Sequence, residues 1–139
     1  DVSALLRSPE VSMAASTISR HPSVRLKMVE KQREIAGKMS CVLDGRDIGT
    51  FVLPDADFKF YLTASSEVRA KRRYDEMVAR GEQVDFEALK RDIAARDEQD
   101  STRALAPLKK ADDAILIDTS DMTVDEVLDT LKRKMQEKI

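Results

Sequence analysis

Cysteine, glycine, proline and tryptophan are scarce in this sequence of 139 residues, which holds one cysteine, four glycines, four prolines and no tryptophan. The single Cys41 excludes a disulfide framework and a cysteine-based zinc site, and it is typical of a reducing compartment such as the cytoplasm. So few glycines and prolines exclude a collagen-like or low-complexity chain. We therefore expect a cytoplasmic globular domain of ordinary size.

Long apolar runs and an excess of one charge are also missing. The 24 basic and 26 acidic side chains leave a formal net charge of −2. This balance argues against generic nucleic-acid binding but permits a local basic cluster for a small anion. The apolar runs are only a few residues long, so no membrane span is expected. No basic segment followed by an apolar one opens the chain, so no secretory signal is expected either.

Capping residues and apolar residues at helical spacing predict five helices. The clearest start is Thr123–Glu126, a capping box ahead of an apolar stripe that runs from Val124 to Met135. Ser8 and Asp85 are the expected N-caps of two others, and Gly81 is the expected stop of another. The predicted helices are 9–20, 22–38, 66–81, one that begins at 86, and 124–135.

Three short apolar runs between these helices predict strands. They are Cys41–Leu43, Phe58–Leu62 and Ala114–Ile117. A continuous apolar run bounded by a turn is typical of a buried parallel strand, so Cys41 is expected to act as a small buried hydrophobe. Strands that alternate with helices predict an α/β fold with a parallel sheet. Ligands of such sheets bind beyond the carboxyl ends of the strands.

The polar turn Asp44–Asp47 follows the first predicted strand at its carboxyl end. Gly45 is expected to let the backbone turn sharply, and Arg46 offers a guanidinium fork suited to a phosphate. Asp44 and Asp47 offer carboxylates for a metal-bound water or a substrate donor. A plain polar turn with local ion pairs explains the tetrapeptide equally well.

A second charged group lies on one face of the fourth predicted helix. Arg96, Asp100 and Arg103 are spaced by four and three residues, with Arg103 expected near the helix end. A solvated face with ion pairs such as Asp92–Arg96 is the simpler interpretation of this group alone. The preceding helix has a third basic group, for which a charged surface is also the simpler interpretation. Its members are Arg69, Lys71, Arg72, Arg73 and Arg80.

Taken together, the motifs resemble those of bacterial cytidylate kinases in the same order along nearly the whole chain. The residues that carry the resemblance include Leu-Asp-Gly-Arg-Asp-Ile-Gly-Thr at 43–50 and Arg-Asp-Glu-Gln-Asp-Ser-Thr-Arg at 96–103. Either block alone is weak, but the pair is specific. The resemblance implies a P-loop nucleoside-monophosphate kinase fold with a parallel sheet, a monophosphate-binding insert and a mobile helical lid.

The implied activity is transfer of the terminal phosphoryl group of ATP, with magnesium, to CMP or dCMP. The implied partners are these small nucleotides, with no nucleic acid and no membrane, and the whole enzyme is expected to be a monomer. No residue of this chain is assigned to a metal. Arg46, Arg96 and Arg103 are the expected catalytic residues, and Arg69, Arg72 and Arg73 are the lid candidates.

Seven residues match positions that line the CMP site of the family: Ser16, Arg25, Arg46, Asp47, Arg96, Asp100 and Arg103. The resemblance implies that Arg25 and Asp47 contact the cytosine edge. It places Ser16, Arg96 and Asp100 around the sugar. It implies that Arg46, with support from Arg103, faces the acceptor phosphate.

One element of the family is missing. Gly-x-x-x-x-Gly-Lys-Ser/Thr, the loop that holds the ATP phosphates, does not occur in the sequence. We therefore expect a piece of a longer enzyme, truncated at the N-terminus, inactive alone and prone to self-association. Its expected parts are 1–40 (rest of the monophosphate-binding region), 41–71 (core sheet and CMP site), 72–100 (lid) and 101–139 (core strand and last helix). Three alternatives stay open: a shortened inactive paralogue, another small nucleoside-monophosphate kinase, and a non-catalytic module that binds a nucleotide or a protein.

Overall fold

The computed structural model describes Leu6 and residues 8–138, and these form two compact units. The first unit takes its described residues from Asp1–Pro54 and Glu98–Lys109. The second takes them from Asp55–Asp97 and Lys110–Ile139. The four-part division expected from the sequence stays a prediction.

Two helices at the start of the first unit agree with the sequence prediction. Helix α1 spans Pro9–Ile18, and the Ser8 hydroxyl accepts a hydrogen bond from the Val11 N–H at 3.3 Å. Helix α2 spans Pro22–Ala36 and ends at Gly37, as predicted. These caps hold backbone groups that a helix end would otherwise leave without a partner.

The predicted strand at Cys41–Leu43 is wrong. This segment is irregular, and the Cys41 and Val42 side chains are exposed, so Cys41 is not a buried hydrophobe. A parallel strand needs a neighbour that pairs with its backbone and covers its side chains. Within the described residues, the only paired strands lie in the second unit. The chain instead continues into a single π-helical turn, Ile48–Val52.

The sheet of the second unit has two parallel strands. Strand β1 spans Phe60–Thr63 and strand β2 spans Ile115–Asp118, and these end residues are paired in register. The pairing extends past both strand ends, because the Ile115 N–H donates to the Lys59 carbonyl at 2.9 Å and the Thr119 N–H donates to the Thr63 carbonyl at 2.8 Å. The predicted α/β class with a parallel sheet is confirmed.

Helix α3 spans Ser66–Ala79 and ends in a turn that requires glycine. Gly81 has φ of +80°, and its N–H donates to the Val78 carbonyl while the next N–H donates to the Met77 carbonyl. This hydrogen-bond pair is the Schellman motif, in which a left-handed residue closes the helix. The predicted stop at Gly81 is therefore confirmed.

Helix α4 spans Phe86–Thr102 and links the two units, because it belongs to the second up to Asp97 and to the first from Glu98. Its start is capped as predicted, since the Asp85 carboxylate accepts the Ala88 N–H. Arg103 lies just beyond its end.

Helix α5 spans Val124–Gln136 and begins with the predicted capping box. The Thr123 hydroxyl accepts the Glu126 N–H, and the Glu126 carboxylate accepts the Thr123 N–H at 2.8 Å. The apolar stripe of α5 is not a buried core, because no residue of α5 is buried and Val124 is 84% exposed. No helix among the described residues has the length and apolar character needed to cross a membrane.

Candidate active site

The loop Asp44–Asp47 lies between α2 and the π-helical turn rather than at the end of a strand. The backbone bends at Gly45, as expected, but Gly45 does not adopt a left-handed conformation. A Cβ atom on Gly45 would lie 2.9 Å from Cγ1 of Ile48, which is closer than side chains pack. The glycine therefore allows the Ile48 side chain to pack against the loop backbone.

Arg25 of α2 and Asp47 of this loop form a buried ion pair. Arg25 Nη2 lies 2.5 Å from Asp47 Oδ2, and each side chain is about 9% exposed. Arg25 Nη1 also donates to the Ser19 carbonyl at 3.5 Å. The pair joins α2 to the loop inside the first unit, where screening by water is weak.

Arg103 is buried between two carboxylates. Its Nη2 lies 3.7 Å from Asp47 Oδ1, and its Nη1 lies 3.6 Å from Asp100 Oδ1. Its Nε donates to the Ala106 carbonyl at 2.6 Å. Ala106 has φ of +52°, a left-handed conformation that costs a non-glycine residue energy and that proteins tend to keep at functional sites. Arg103 is thus held on three sides.

Arg46 also contacts these buried charges, through Asp100. Its Nε donates to Asp100 Oδ2 at 3.1 Å, and its side chain is 46% exposed while that of Asp100 is 5% exposed. Arg46 is therefore the member that solvent reaches. We call the five residues the arginine–aspartate cluster: Arg25, Arg46, Asp47, Asp100 and Arg103.

The arginine–aspartate cluster carries one positive charge more than negative. Burial lowers the pKa of the Arg103 guanidinium, the nearby Arg25 charge lowers it further, and Asp47 and Asp100 act in the opposite direction. Arginine stays protonated under physiological conditions even so. The excess charge therefore persists, and it favours an anion at the cluster.

Polar atoms of the arginine–aspartate cluster are also left for a ligand. Arg25 Nε, Arg103 Nη2 and Asp47 Oδ2 are buried and have no hydrogen-bond partner among the described residues, although Asp47 Oδ2 makes its ion pair with Arg25 and Arg103 Nη2 lies 3.7 Å from Asp47 Oδ1. Buried polar groups in proteins nearly always have such partners, and their absence needs an explanation. Two donors and one acceptor in one place can bind a ligand that carries both acceptor oxygens and a donor group.

Ser16 is buried in the same unit and contacts a residue that sequence reasoning missed. The Gln99 side-chain amide donates to Ser16 Oγ at 2.7 Å. Gln99 precedes Asp100 in the second block of the family resemblance, and that neighbour is the only signal in the sequence that could have found it. The bond joins α1 to the end of α4.

The remaining predicted site residues lie in the second unit. Arg96 belongs to that unit, and its assignment to the nucleotide site stays a prediction. Arg69 donates to the Ala64 carbonyl at 3.1 Å and pairs with Asp97 at 2.5 Å. Arg72 donates to the Thr119 hydroxyl at 3.1 Å and to the Thr119 and Met122 carbonyls, and Arg73 donates to Glu76 at 3.0 Å. These contacts tie the arginines to their own unit, and their role in a lid stays a prediction.

The described residues do not form a metal site from protein side chains alone. Among them, no group of three or more His, Cys, Asp or Glu side chains is placed to hold a metal ion. The Asp47 and Asp100 carboxylates face guanidinium groups instead.

Comparison with known proteins identifies relatives along nearly the whole chain. A family profile described as cytidylate kinase matches residues 1–137. A cytidylate kinase of Geobacillus sp. (strain WCH70) is 52% identical over 139 residues, which are 100% of this chain and 62% of that protein. One from Corynebacterium glutamicum is 55% identical over 132 residues, which are 94% of this chain and 57% of that protein.

The chain is therefore shorter than its relatives. It spans about 62% of the length of the Geobacillus protein, and the same share of a cytidylate kinase of Anoxybacillus flavithermus that is 50% identical. Its α/β architecture with a parallel sheet agrees with the nucleoside-monophosphate kinase fold that the sequence motifs predict. The chain belongs to the cytidylate kinase family.

Proposed function

We propose that this chain supplies the acceptor-nucleotide site and lid of a CMP or dCMP kinase. The whole enzyme transfers the terminal phosphoryl group of ATP to CMP or dCMP and releases ADP and CDP or dCDP. The observation that carries the proposal is the arginine–aspartate cluster, with its excess positive charge and its buried polar atoms without hydrogen-bond partners. A nucleoside monophosphate matches these features, because it has an anionic phosphate and a base with donors and acceptors.

Arg46 and Arg103 are the residues we assign to the acceptor phosphate. Arg46 is the solvent-reached member of the cluster, so an entering phosphate meets it first. A guanidinium group binds phosphate oxygens in bidentate fashion, and it offsets the charge that repels the donor phosphates. Phosphoryl transfer relies mostly on this positioning and charge stabilisation.

Asp47 and Arg25 are assigned to the cytosine edge. The amino group on C4 of cytosine is a donor that a carboxylate accepts, whereas uracil has an acceptor oxygen there. Asp47 Oδ2 is a buried carboxylate oxygen whose described contact is the ion pair with Arg25, and its negative charge supports this assignment. Arg25 Nε supplies one neighbouring donor, for the ring carbonyl or for the ring nitrogen. The pair thereby favours cytosine over uracil.

Ser16, Arg96 and Asp100 are assigned to the sugar, and Arg96 also to the transferring phosphoryl group. During the reaction an oxygen of the CMP phosphate attacks the terminal phosphorus of ATP, and the bond from that phosphorus to the ADP oxygen breaks. The arginines stabilise charge on the oxygens in this transition state. Closure of the α3–α4 region, which contains Arg69, Arg72 and Arg73, would exclude water as a competing acceptor.

A nucleotide-binding module without catalysis is the second candidate for the chain alone. The sequence contains no Gly-x-x-x-x-Gly-Lys-Ser/Thr loop for the ATP phosphates, which favours it. Exposed apolar side chains such as Leu62 and Leu116 of the sheet support the expectation that the chain self-associates. Both candidates require the same acceptor site.

Calorimetric titration of the purified chain with CMP, dCMP, UMP and AMP tests the acceptor site. We expect CMP or dCMP to bind more tightly than UMP and AMP, and Asp47→Asn to remove the preference for cytosine over uracil. Asp129→Asn, an exposed change on α5, is the matched control and should bind as the wild type does. Equal affinity for all four nucleotides, or no binding of CMP, would contradict the proposal.

A further inference from the structure

Arg33 of α2 bonds the end of the π-helical turn that follows Asp47. Its Nε donates to the Val52 carbonyl at 2.8 Å, and its Nη2 donates to the Phe51 carbonyl at 2.7 Å. Its guanidinium carbon also lies 6.0 Å from the centre of the Phe51 ring, in the range of a cation–π contact. One side chain thus holds two consecutive backbone carbonyls.

The Phe51 and Val52 carbonyls lie at the end of the π-helical turn, where no backbone N–H of the turn is left to donate to them. The last carbonyls of any helical segment have no partner inside it, and a π-helical turn is a rare conformation that occurs frequently at functional sites. Arg33 supplies both donors from α2. The planar guanidinium suits two adjacent acceptors, whereas a lysine ammonium acts as a point charge.

The same turn fixes the backbone of Asp47. The Asp47 carbonyl accepts the Phe51 N–H at 2.9 Å and the Val52 N–H at 3.2 Å, and Val52 is 1% exposed. A shift at Phe51 or Val52 therefore moves Asp47 through two hydrogen bonds. The Asp47 side chain would then move relative to Arg25 on α2.

Helix α2 consequently holds the turn at both ends. Arg25 bonds the Asp47 side chain where the turn begins, and Arg33 bonds the carbonyls where it ends. The two arginines are about two helical turns apart on one rigid element. Together they contact both the Asp47 carboxylate and the backbone turn that follows Asp47.

We propose that Arg33 is a positioning residue of the acceptor site, which sets the Asp47 carboxylate for cytosine through the π-helical turn. The inference rests on the proposed function. It assigns a role to a residue outside the seven of the candidate site. Because Arg33 acts through Asp47, its loss changes the choice of base and not only the overall affinity.

The experiment compares Arg33→Ala and Arg33→Lys with Lys27→Ala in the full chain. Lys27 lies on the same helix and pairs with Glu30 at the surface, so Lys27→Ala is the matched control. One measurement is the CMP and UMP affinity by calorimetry. The other is amide hydrogen exchange at Phe51 and Val52, with the amides of β1 and β2 as the reference for intact folding.

In Arg33→Ala we expect exchange at Phe51 and Val52 to speed up about tenfold, with exchange in β1 and β2 unchanged. We expect CMP affinity to fall about tenfold and the preference for CMP over UMP to shrink towards equality. Arg33→Lys should restore these values only in part, and Lys27→Ala should match the wild type. A merely structural role would weaken CMP and UMP binding equally.

The outcomes separate this inference from the proposed function. If the wild type binds no CMP, the proposed function fails, and exchange at Phe51 and Val52 alone then judges the positioning role. Unchanged exchange there in Arg33→Ala, or an unchanged ratio of CMP to UMP affinity where the wild type binds CMP, overturns the inference. If Arg33→Ala unfolds, Arg33→Lys decides by the same two measurements.

Discussion

Arg25 and Asp47 lie on separate segments of the first unit, and their charged atoms are 2.5 Å apart in a buried ion pair. Removal of one partner from such a pair is strongly destabilising, since it leaves an uncompensated buried charge. Arg103 extends the pair to Asp100, and Arg46 closes the arginine–aspartate cluster at the surface. Burial of these charges costs folding free energy, and binding of a charged ligand would explain why the arginine–aspartate cluster is buried.

Arg46→Ala is expected to lower the activity of the whole enzyme far more than its stability. The side chain is 46% exposed and makes one bond to Asp100, so its loss should cost about 1 kcal/mol of the free energy of unfolding. Loss of a guanidinium from the acceptor phosphate should remove about 2–4 kcal/mol of transition-state stabilisation. Thermal melting and kcat/KM measured on the same variant check both values. A kcat/KM near that of the wild type would remove Arg46 from the site.

Asp100→Ala is expected to be the more destabilising change. Asp100 is buried, and its loss leaves Arg103 and Arg46 without one of their carboxylates. The free energy of unfolding should fall by about 3 kcal/mol, as for a broken buried pair. Urea denaturation measures it, with Asp75→Ala of the exposed Lys71–Asp75 pair as the control, expected to cost less than about 1 kcal/mol.

The isosteric Asp100→Asn tests the assignment of Asp100 to the sugar. It keeps the shape of the side chain, so enough folded protein should remain for binding measurements. We expect the ratio of CMP to dCMP affinity to change, because a hydrogen bond to a hydroxyl contributes about 0.5–1.5 kcal/mol. An unchanged ratio, with both nucleotides equally weakened, would leave Asp100 with an ion-pair role only.

The structure shows which kinds of feature the sequence could predict. The helix starts at Ser8 and Thr123 were predictable, because the side chain bonds a backbone N–H three residues away. The strand at Cys41–Leu43 was not, since a three-residue apolar run becomes a strand only when a distant segment pairs with it. Local hydrogen bonds can be read from neighbouring residues, whereas pairing across the fold cannot.

In the candidate site, too, local spacing was predictable from the sequence, whereas contacts between distant residues were not. The spacing of Asp100 and Arg103 placed them on one helical face, but nothing in the spacing indicated that Arg46 donates to Asp100. The family resemblance named the members of the arginine–aspartate cluster without their contacts. Arg33 and Gln99 escaped prediction because their partners are distant in sequence, at Val52 and Ser16.

Gly45→Ala is expected to lower the free energy of unfolding by about 1–2 kcal/mol through overpacking. The added methyl group would meet Cγ1 of Ile48 at 2.9 Å and Cδ1 at 3.0 Å. Ile48→Ala removes both atoms, so the double variant should lose less than the sum of the two single variants. A double-mutant cycle by urea denaturation checks this, and strict additivity would show that the two positions do not touch.

Glu126→Gln is expected to flatten the dependence of stability on acid pH. Hydrogen bonds from the Thr123 backbone, and then from its hydroxyl, hold the pKa of the Glu126 carboxyl below its usual value of 4.5. The ionised cap therefore stabilises the fold fully above about pH 4.5, and this contribution is lost as the pH falls through the lower pKa of the folded state. The melting temperatures of wild type and variant, measured between pH 3 and pH 6, should become equal at the acid end of this range. Parallel curves would contradict the prediction.

The chain alone is expected not to phosphorylate CMP from ATP. Backbone N–H groups of a glycine-rich loop and its lysine ordinarily hold the donor phosphates, and the sequence has no such motif. The arginine–aspartate cluster can neutralise an acceptor phosphate but has no means to place a donor in line with it, and such placement supplies much of the rate. A coupled assay for ADP formed in the presence of CMP measures the activity, with a full-length cytidylate kinase as the positive control. CMP binding without turnover would separate acceptor recognition from donor placement, whereas CMP-dependent ADP release by the pure chain would show that other residues hold the ATP.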